Sequence, residues 1–418
     1  MVLAALAVRL AVVAFVYHDW LDARRDHYYF GYENGRVARS IALGQGVSNP
    51  LHGDSGPTAM IMPVYPFILA GVFKVFGIYS KASAIAILSL NSLFSALTCL
   101  PIVLICRKLL GGRTAMIAGW MWAFWPNGIY FSADWMWPTC LTTLVLASLF
   151  LILLHLKTAD NKWAWVKWAW VGFGLLSGFA ALNDPNVLSV LPLLVFWVCL
   201  DRRRCGQRWF SLGALSAAAF LVVVMPWLIR DYRTFHRFIP FRDGLGLELY
   251  VGNNGYSRHW ANGKVRPSNN PAELSEFKQG ELAYMAHKKA QALDFIKAHP
   301  RWYAVMTLRR AIYLWTGFWS LERSYLSEEP MDPENIVLSV ASLTLALIGM
   351  WRLWREDPAL VAPFVLLMAF FPLTYYFTHP EVYYMRPIDP FIVVFAAYAV
   401  TPRPRVKKQI ANQELTAD

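Results

Sequence analysis

The chain has 418 residues, 57% of them hydrophobic and only 16% charged, with 19 Trp, 19 Tyr and 26 Phe. That is more apolar surface than a soluble domain of this length buries, so the expected solvent is a bilayer. A formal net charge of +12 would suit nucleic acid, but the Lys and Arg residues lie mostly in short loops between apolar runs, where positive-inside placement accounts for them without such a partner.

The chain opens on MVLAALAVRLAVVAFVY, which has the length of a signal-peptide core. Arg9 lies inside it and no small-residue cleavage site follows, so it reads as a short first span behind a slightly truncated coding start. A polar, aromatic insert comes next, HYYFGYENGRVARSIALGQG at 27–46, with Glu33 followed by Arg36 and Arg39. Crossing the hydrocarbon core takes about 20 apolar residues. Candidate spans lie at 2–17, 82–106, 114–131, 135–155, 164–182, 186–200, 209–228, 335–352, 358–377 and 386–401. Three loops are plainly basic, RKLLGGR at 107–113, DRRRCGQR at 201–208 and PRPRVKK at 402–408, and WRLWRED and KTADNK lean the same way. All five face the cytoplasm only if 61–77 and 302–319 do not cross the membrane. The first contains Pro63, Pro66 and Lys74, and the second carries Arg309 and Arg310 at its centre, where each charge costs at least ~2.5 kcal/mol. Both therefore read as interfacial amphipathic helices. The five cysteines show no metal-type or extracytoplasmic pairing and read as small core residues.

The expected fold class is thus all-α and polytopic, with about ten transmembrane helices, interfacial helices and an outward lobe. Its parts are a transmembrane module over 1–228 with a first outward loop at 18–81, a lobe over 229–334, and terminal helices with a basic tail over 335–418. Both ends face the cytoplasm, and the long aromatic loops face outward, as a catalytic or binding face would. On that face lie the carboxylates Asp26, Glu33, Asp134, Asp184 and Asp231 and the cations Arg36, Arg39, Arg230, Arg233, Arg237, Arg309, Arg310 and Arg386. Transferring a group from a phosphate-bearing lipid needs both types: a carboxylate to take the acceptor proton and Arg forks to hold the phosphate that leaves.

The order of features also carries a family likeness. A first span is followed by YENGRVARSIALGQG, then GPTAMIMPVYPFILAGVFKVFG, LNSLFSALT, PWLIRDYRTF and a late YYMRPIDPF. This resembles the bacterial membrane glycosyltransferases of the C-type fold, which are similar to protein O-mannosyltransferases and to the lipid A aminoarabinose transferase. The resemblance implies a catalytic base drawn from an acidic pair in the first outward loop. Here the Glu of that pair falls on Glu33 while the Asp position falls on Tyr32, leaving Asp26 as the other local acid. A second acidic position falls on Trp137-Pro138, so Asp134, one turn earlier, is the local substitute. The resemblance further implies a polyprenyl-phosphate-linked sugar as donor, an inverting transfer to a protein, lipid or glycan hydroxyl, and in some members a divalent cation. No other cofactor is expected. Arg36, Arg230, Arg309, Arg310, Tyr384 and Arg386 are the candidates for binding substrate, at the outer face of an inner membrane. The rival is a transporter or flippase of lipid-linked saccharides, which would need polar groups along the middles of several spans; apart from Arg9, Asn91 and Lys167 these spans offer few.

Overall fold

The computed structural model describes residues 1–15, 30–159, 165–257, 263–318, 323, 332–381 and 383–402. Those residues form helices with no named strand among them, in the order α1 (Val2–Phe15), α2 (Glu33–Ala42), α3 (Val64–Phe76), α4 (Lys81–Leu97), α5 (Cys99–Leu109), α6 (Gly112–Ala123), α7 (Pro126–Ala133), α8 (Thr139–Thr158) and α9 (Trp165–Asn183). There follow α10 (Leu191–Arg204), α11 (Phe210–Phe235), α12 (Leu245–Gly252), α13 (Pro271–Lys278), α14 (Glu281–Ala298), α15 (Pro300–Thr316), α16 (Asp332–Glu356), α17 (Pro358–Phe370), α18 (Leu373–Phe377) and α19 (Asp389–Val400). Seven helical stretches among them are long and apolar enough to cross a bilayer, α4 and α5 running together as one. The other three expected spans are helical but shorter: α1, the broken pair α6 and α7, and α19. The protein is a multi-pass helical membrane protein whose main core is the buried cluster around Trp170, Phe150, Phe364 and Phe391.

Several buried arginines do work that the backbone leaves undone. The break between α6 and α7 falls at Pro126, which has no N–H to offer the carbonyl of Trp122 four residues back. Arg9, fully buried, takes that place: Nη2 donates to Trp122 O at 3.1 Å and Nη1 to Ala123 O at 2.9 Å, while Nε donates to Ser95 Oγ at 2.9 Å. Arg310 donates to the carbonyls of Tyr376 at 3.4 Å and Phe377 at 3.3 Å, and Pro380 is the residue that cannot bond Tyr376. Arg352 donates to Tyr398 O at 3.0 Å and Thr401 O at 2.7 Å ahead of Pro402. Arg9→Met should therefore lower stability by about 2 kcal/mol, the cost of leaving Ala123 O without a donor. Thermal unfolding of the detergent-solubilised variant checks this; an unchanged melting temperature would refute it.

A smaller lobe, α12 to α14, packs around Leu247, Val251, Phe277, Tyr284 and Met285. It grips the loop before α3 at one peptide: Ala59 N donates to Glu281 Oε1 at 2.7 Å, and Asp243 N donates to Ala59 O at 3.1 Å. Arg230 of α11 closes the grip, donating to Thr58 O and Val47 O at 2.7 Å each. Residues 60–62 are thereby held against the cavity described next.

Candidate active site

The insert that carries Glu33 lies down on the loop between α7 and α8 because two glycines let it. Gly31 has φ +80°, and a Cβ there would sit 2.2 Å from Met136 O; at Gly35 one would sit 2.3 Å from Phe30 O. After Tyr32, itself at φ 49°, the chain enters α2 with Glu33 in the first turn, where a carboxylate meets the positive end of the helix. The facing loop is fixed in turn by Asn91 of α4, which donates to Trp135 O at 2.9 Å and to the Tyr65 hydroxyl at 3.0 Å. Asn91, one of the few polar residues within an expected span, thus has a structural task.

Glu33 lines a cavity of about 480 Å³. One wall is aromatic: Tyr32 meets Trp137 edge-on at 5.9 Å, and Tyr383 lies 5.4 Å from Trp137 and 5.2 Å from Trp135. A second wall, Asn183 to Asn186, comes from the end of α9 and the turn that follows. The third is ionic. Glu248 on α12 accepts from Arg242 Nη2 at 3.2 Å and from Arg266 Nη2 at 3.1 Å. Burial alone would raise its pKa, but the neighbouring guanidiniums, Arg266 foremost and then Arg242, overcome that and hold it at about 2, so it is ionised. His379 is 1% exposed, and burial is the main cause that depresses its pKa to about 4. It is therefore neutral, its Nε2 accepting from Arg266 Nη2 and from the Tyr384 hydroxyl, each at 3.0 Å. The Arg266 guanidinium is desolvated by burial, yet the fields of Glu248, Tyr384 and Glu33 raise its pKa overall. Glu33 thus lies within electrostatic reach of a fixed cation.

Of the residues picked out from the sequence, Glu33, Asp184 and Tyr384 line this cavity. Asp26 lies outside the described residues. The other picks do not line the cavity, and most have a physical reason. Asp134 closes the C-terminus of α7 beside Tyr130, with burial raising its pKa. Arg36 is 6% exposed and bonds His52 at 3.0 Å. Arg230 is spent on the carbonyls of residues 47 and 58 and on Asp231. Arg310 is fully buried among backbone carbonyls, whereas Arg309 points outward from α15. Arg386 pairs with Asp389 at 3.4 Å and stands over the Phe131 ring.

The cavity's cations are instead Arg242 and Arg266, neither of which stood out in the sequence. The one usable signal was Glu248, a lone charge in the apolar octet LGLELYVG, because such a charge needs a nearby cation. Among the described residues no group of three or more His, Cys, Asp or Glu is placed to hold a metal ion. Of the cavity's acids, Glu248 is taken by two arginines and Asp184 Oδ1 by Asn186.

The arrangement of helices is similar to the C-type fold of membrane glycosyltransferases. Residues 56–229 match the family model described as dolichyl-phosphate-mannose-protein mannosyltransferase, in agreement with the likeness read from the sequence. The fold is similar to the oligosaccharyltransferase of Archaeoglobus fulgidus solved with Zn and sulfate, with a TM-score of 0.54 and 14% identity over 96% of this chain and 48% of that one. It is also similar to archaeal AglB from the same organism in complex with an inhibitory peptide and a dolichol-phosphate, at a TM-score of 0.50 and 15% identity over 95% and 50%. ArnT from Cupriavidus metallidurans bound to undecaprenyl phosphate gives a TM-score of 0.40 and 16% identity over 94% and 77%. The chain spans about half the length of the oligosaccharyltransferase structures. No curated protein sequence matches it.

Proposed function

We propose that the protein is a membrane glycosyltransferase that moves a sugar from a polyprenyl-phosphate donor to an acceptor hydroxyl, with inversion at the anomeric carbon, on the outer face of an inner membrane. The observation that carries this reading is one cavity in which Glu33 lies within reach of the Arg266 field, with Arg242 on the same wall. The match to the mannosyltransferase family model and the fold shared with a dolichol-phosphate-bound oligosaccharyltransferase support the same class of donor.

In the reaction, the acceptor oxygen forms a bond to the anomeric carbon as its proton passes to the Glu33 carboxylate. The bond from that carbon to the phosphate oxygen breaks, and its electron pair leaves on polyprenyl phosphate. Arg266 and Arg242 meet the charge that grows on the leaving group, a term that counts for most in a site shielded from water. The aromatic wall excludes water that would compete with the acceptor. A transporter reading has less to stand on, since Arg9 and Asn91, two of the polar residues within the spans, are committed to helix ends and loop carbonyls.

The test supplies membranes containing the protein, and matched membranes without it, with a panel of radiolabelled polyprenyl-phosphate sugars. Protein-dependent release of polyprenyl phosphate with label entering an acceptor is the expected result. Absence of transfer from every donor sinks the reading.

A further inference from the structure

One wall of the cavity ends in a hydrogen-bond acceptor that the protein does not satisfy. Asn183, 4% exposed, is the last residue of α9. Its Nδ2 donates to Thr142 Oγ1 at 2.9 Å, and the Thr142 hydroxyl spends its own proton on Pro138 O at 3.1 Å. The Thr142 oxygen can therefore only accept here, which fixes the orientation of the Asn183 amide. Its Oδ1 is left buried and without a hydrogen-bond partner among the described residues. Such an orphan costs about 1–3 kcal/mol unless something fills it.

The next residue on the same wall, Asp184, is held just as firmly. Its Oδ1 accepts from the backbone N and the Nδ2 of Asn186, at 3.0 and 2.9 Å, and Asn186 Nδ2 also donates to the Tyr375 hydroxyl at 2.6 Å. Two oriented acceptors repel a phosphate and attract groups that donate. Beside them stand Trp135, whose Nε1–H is likewise buried without a partner, and Tyr383. Oxygen acceptors next to aromatic faces fit a polyhydroxylated ring, whose hydroxyls donate and whose C–H face packs on the rings. The ionic wall at Arg242 and Arg266 is the opposite kind of surface, suited to the phosphate.

We propose that Asn183 and Asp184 form the subsite that reads the hydroxyls of the transferred sugar, making Asn183 a specificity-determining residue. This rests on the glycosyltransferase reading above and names the part of the donor that this wall contacts.

The test is a cycle between one side chain and one hydroxyl. Transfer is measured for wild type and Asn183→Ala with the preferred polyprenyl-phosphate hexose and with its monodeoxy analogues. Wild type should lose at least about tenfold in kcat/KM on one deoxy donor, because the acceptor is then left unpaired. Asn183→Ala should lose a similar factor on the parent donor and nothing further on that deoxy donor. Thr142→Val removes the acceptor that orients the Asn183 amide and should weaken the same discrimination. Affinity for polyprenyl phosphate lacking a sugar should be the same in Asn183→Ala as in wild type. Losses that simply multiply across the cycle, or a weakened affinity for sugar-free polyprenyl phosphate, overturn the assignment while leaving the glycosyltransferase reading intact. No transfer by wild type from any donor overturns both.

Discussion

Glu33→Gln is expected to lower kcat for transfer by about a thousandfold while leaving the donor KM within a few-fold of wild type and the melting temperature unchanged. Gln keeps the size of the side chain and its place in the first turn of α2, so Gly31, Tyr32 and the wall at Trp137 have no reason to move. What is lost is a group that can take the acceptor's proton, a contribution of about 10²–10⁴ in rate. The charge removed lies near Arg266, which Glu33 helps to hold protonated, so donor binding should if anything tighten. Measuring kcat and KM separately over a donor titration is decisive. A variant that keeps more than a tenth of wild-type kcat would move the base elsewhere, first to Asp26.

Arg266→Met should act on the other half of the reaction, raising the donor KM by about 10- to 100-fold, the value of a charge-assisted hydrogen bond of about 1.5–3 kcal/mol. Its effect should reach sugar-free polyprenyl phosphate as strongly as the sugar donor, since the contact is to phosphate. Equal affinity for polyprenyl phosphate in variant and wild type would remove Arg266 from the site. The same network predicts an acid limb. His379 accepts from Arg266 and Tyr384 only while neutral. Its folded pKa is depressed from 6.5 to about 4, so its contribution to stability is present above about pH 6.5 and is lost as pH falls through about 4. Glu248, also depressed, adds a further loss at lower pH as it approaches its value of about 2. Activity should therefore fall together with stability on the acid side.

The membrane-embedded helices were legible because long apolar runs have few other homes; the boundaries of α8 and α9 follow those runs to within a few residues, while α11 continues past its apolar run to Phe235. The two interfacial candidates were legible as helices too, α3 from its apolar face and α15 despite Arg309 and Arg310. Glu33 stood out because an acid in an aromatic, glycine-bearing insert is unusual and because the family likeness fell on it.

The cations were not legible. Arg230, Arg310 and Arg386 stood out as cations of the outward face suited to a phosphate, but carbonyls and neighbouring acids there also need donors, and on these the arginines are spent. Arg266 meets Glu248 from 18 residues away and His379 from 113. It sits in a turn-rich stretch where hydrophobic periodicity carries no information about what comes close in space. Asn183 escaped notice for a similar reason: an amide at the end of an apolar helix reads as a cap until its partner, Thr142, is seen to leave one oxygen over.

The arginines that stand in for proline's missing N–H bear on how the protein is made. Arg310 is synthesised more than sixty residues before the carbonyls of Tyr376 and Phe377 that receive it. Until α18 emerges and docks, the nascent chain carries a desolvated or snorkelling charge with part of its partner set missing. A chain stalled before residue 373 leaves Arg310 with only Gly252 O and Asn253 Oδ1 as acceptors, whereas a finished chain adds the carbonyls of Tyr376 and Phe377.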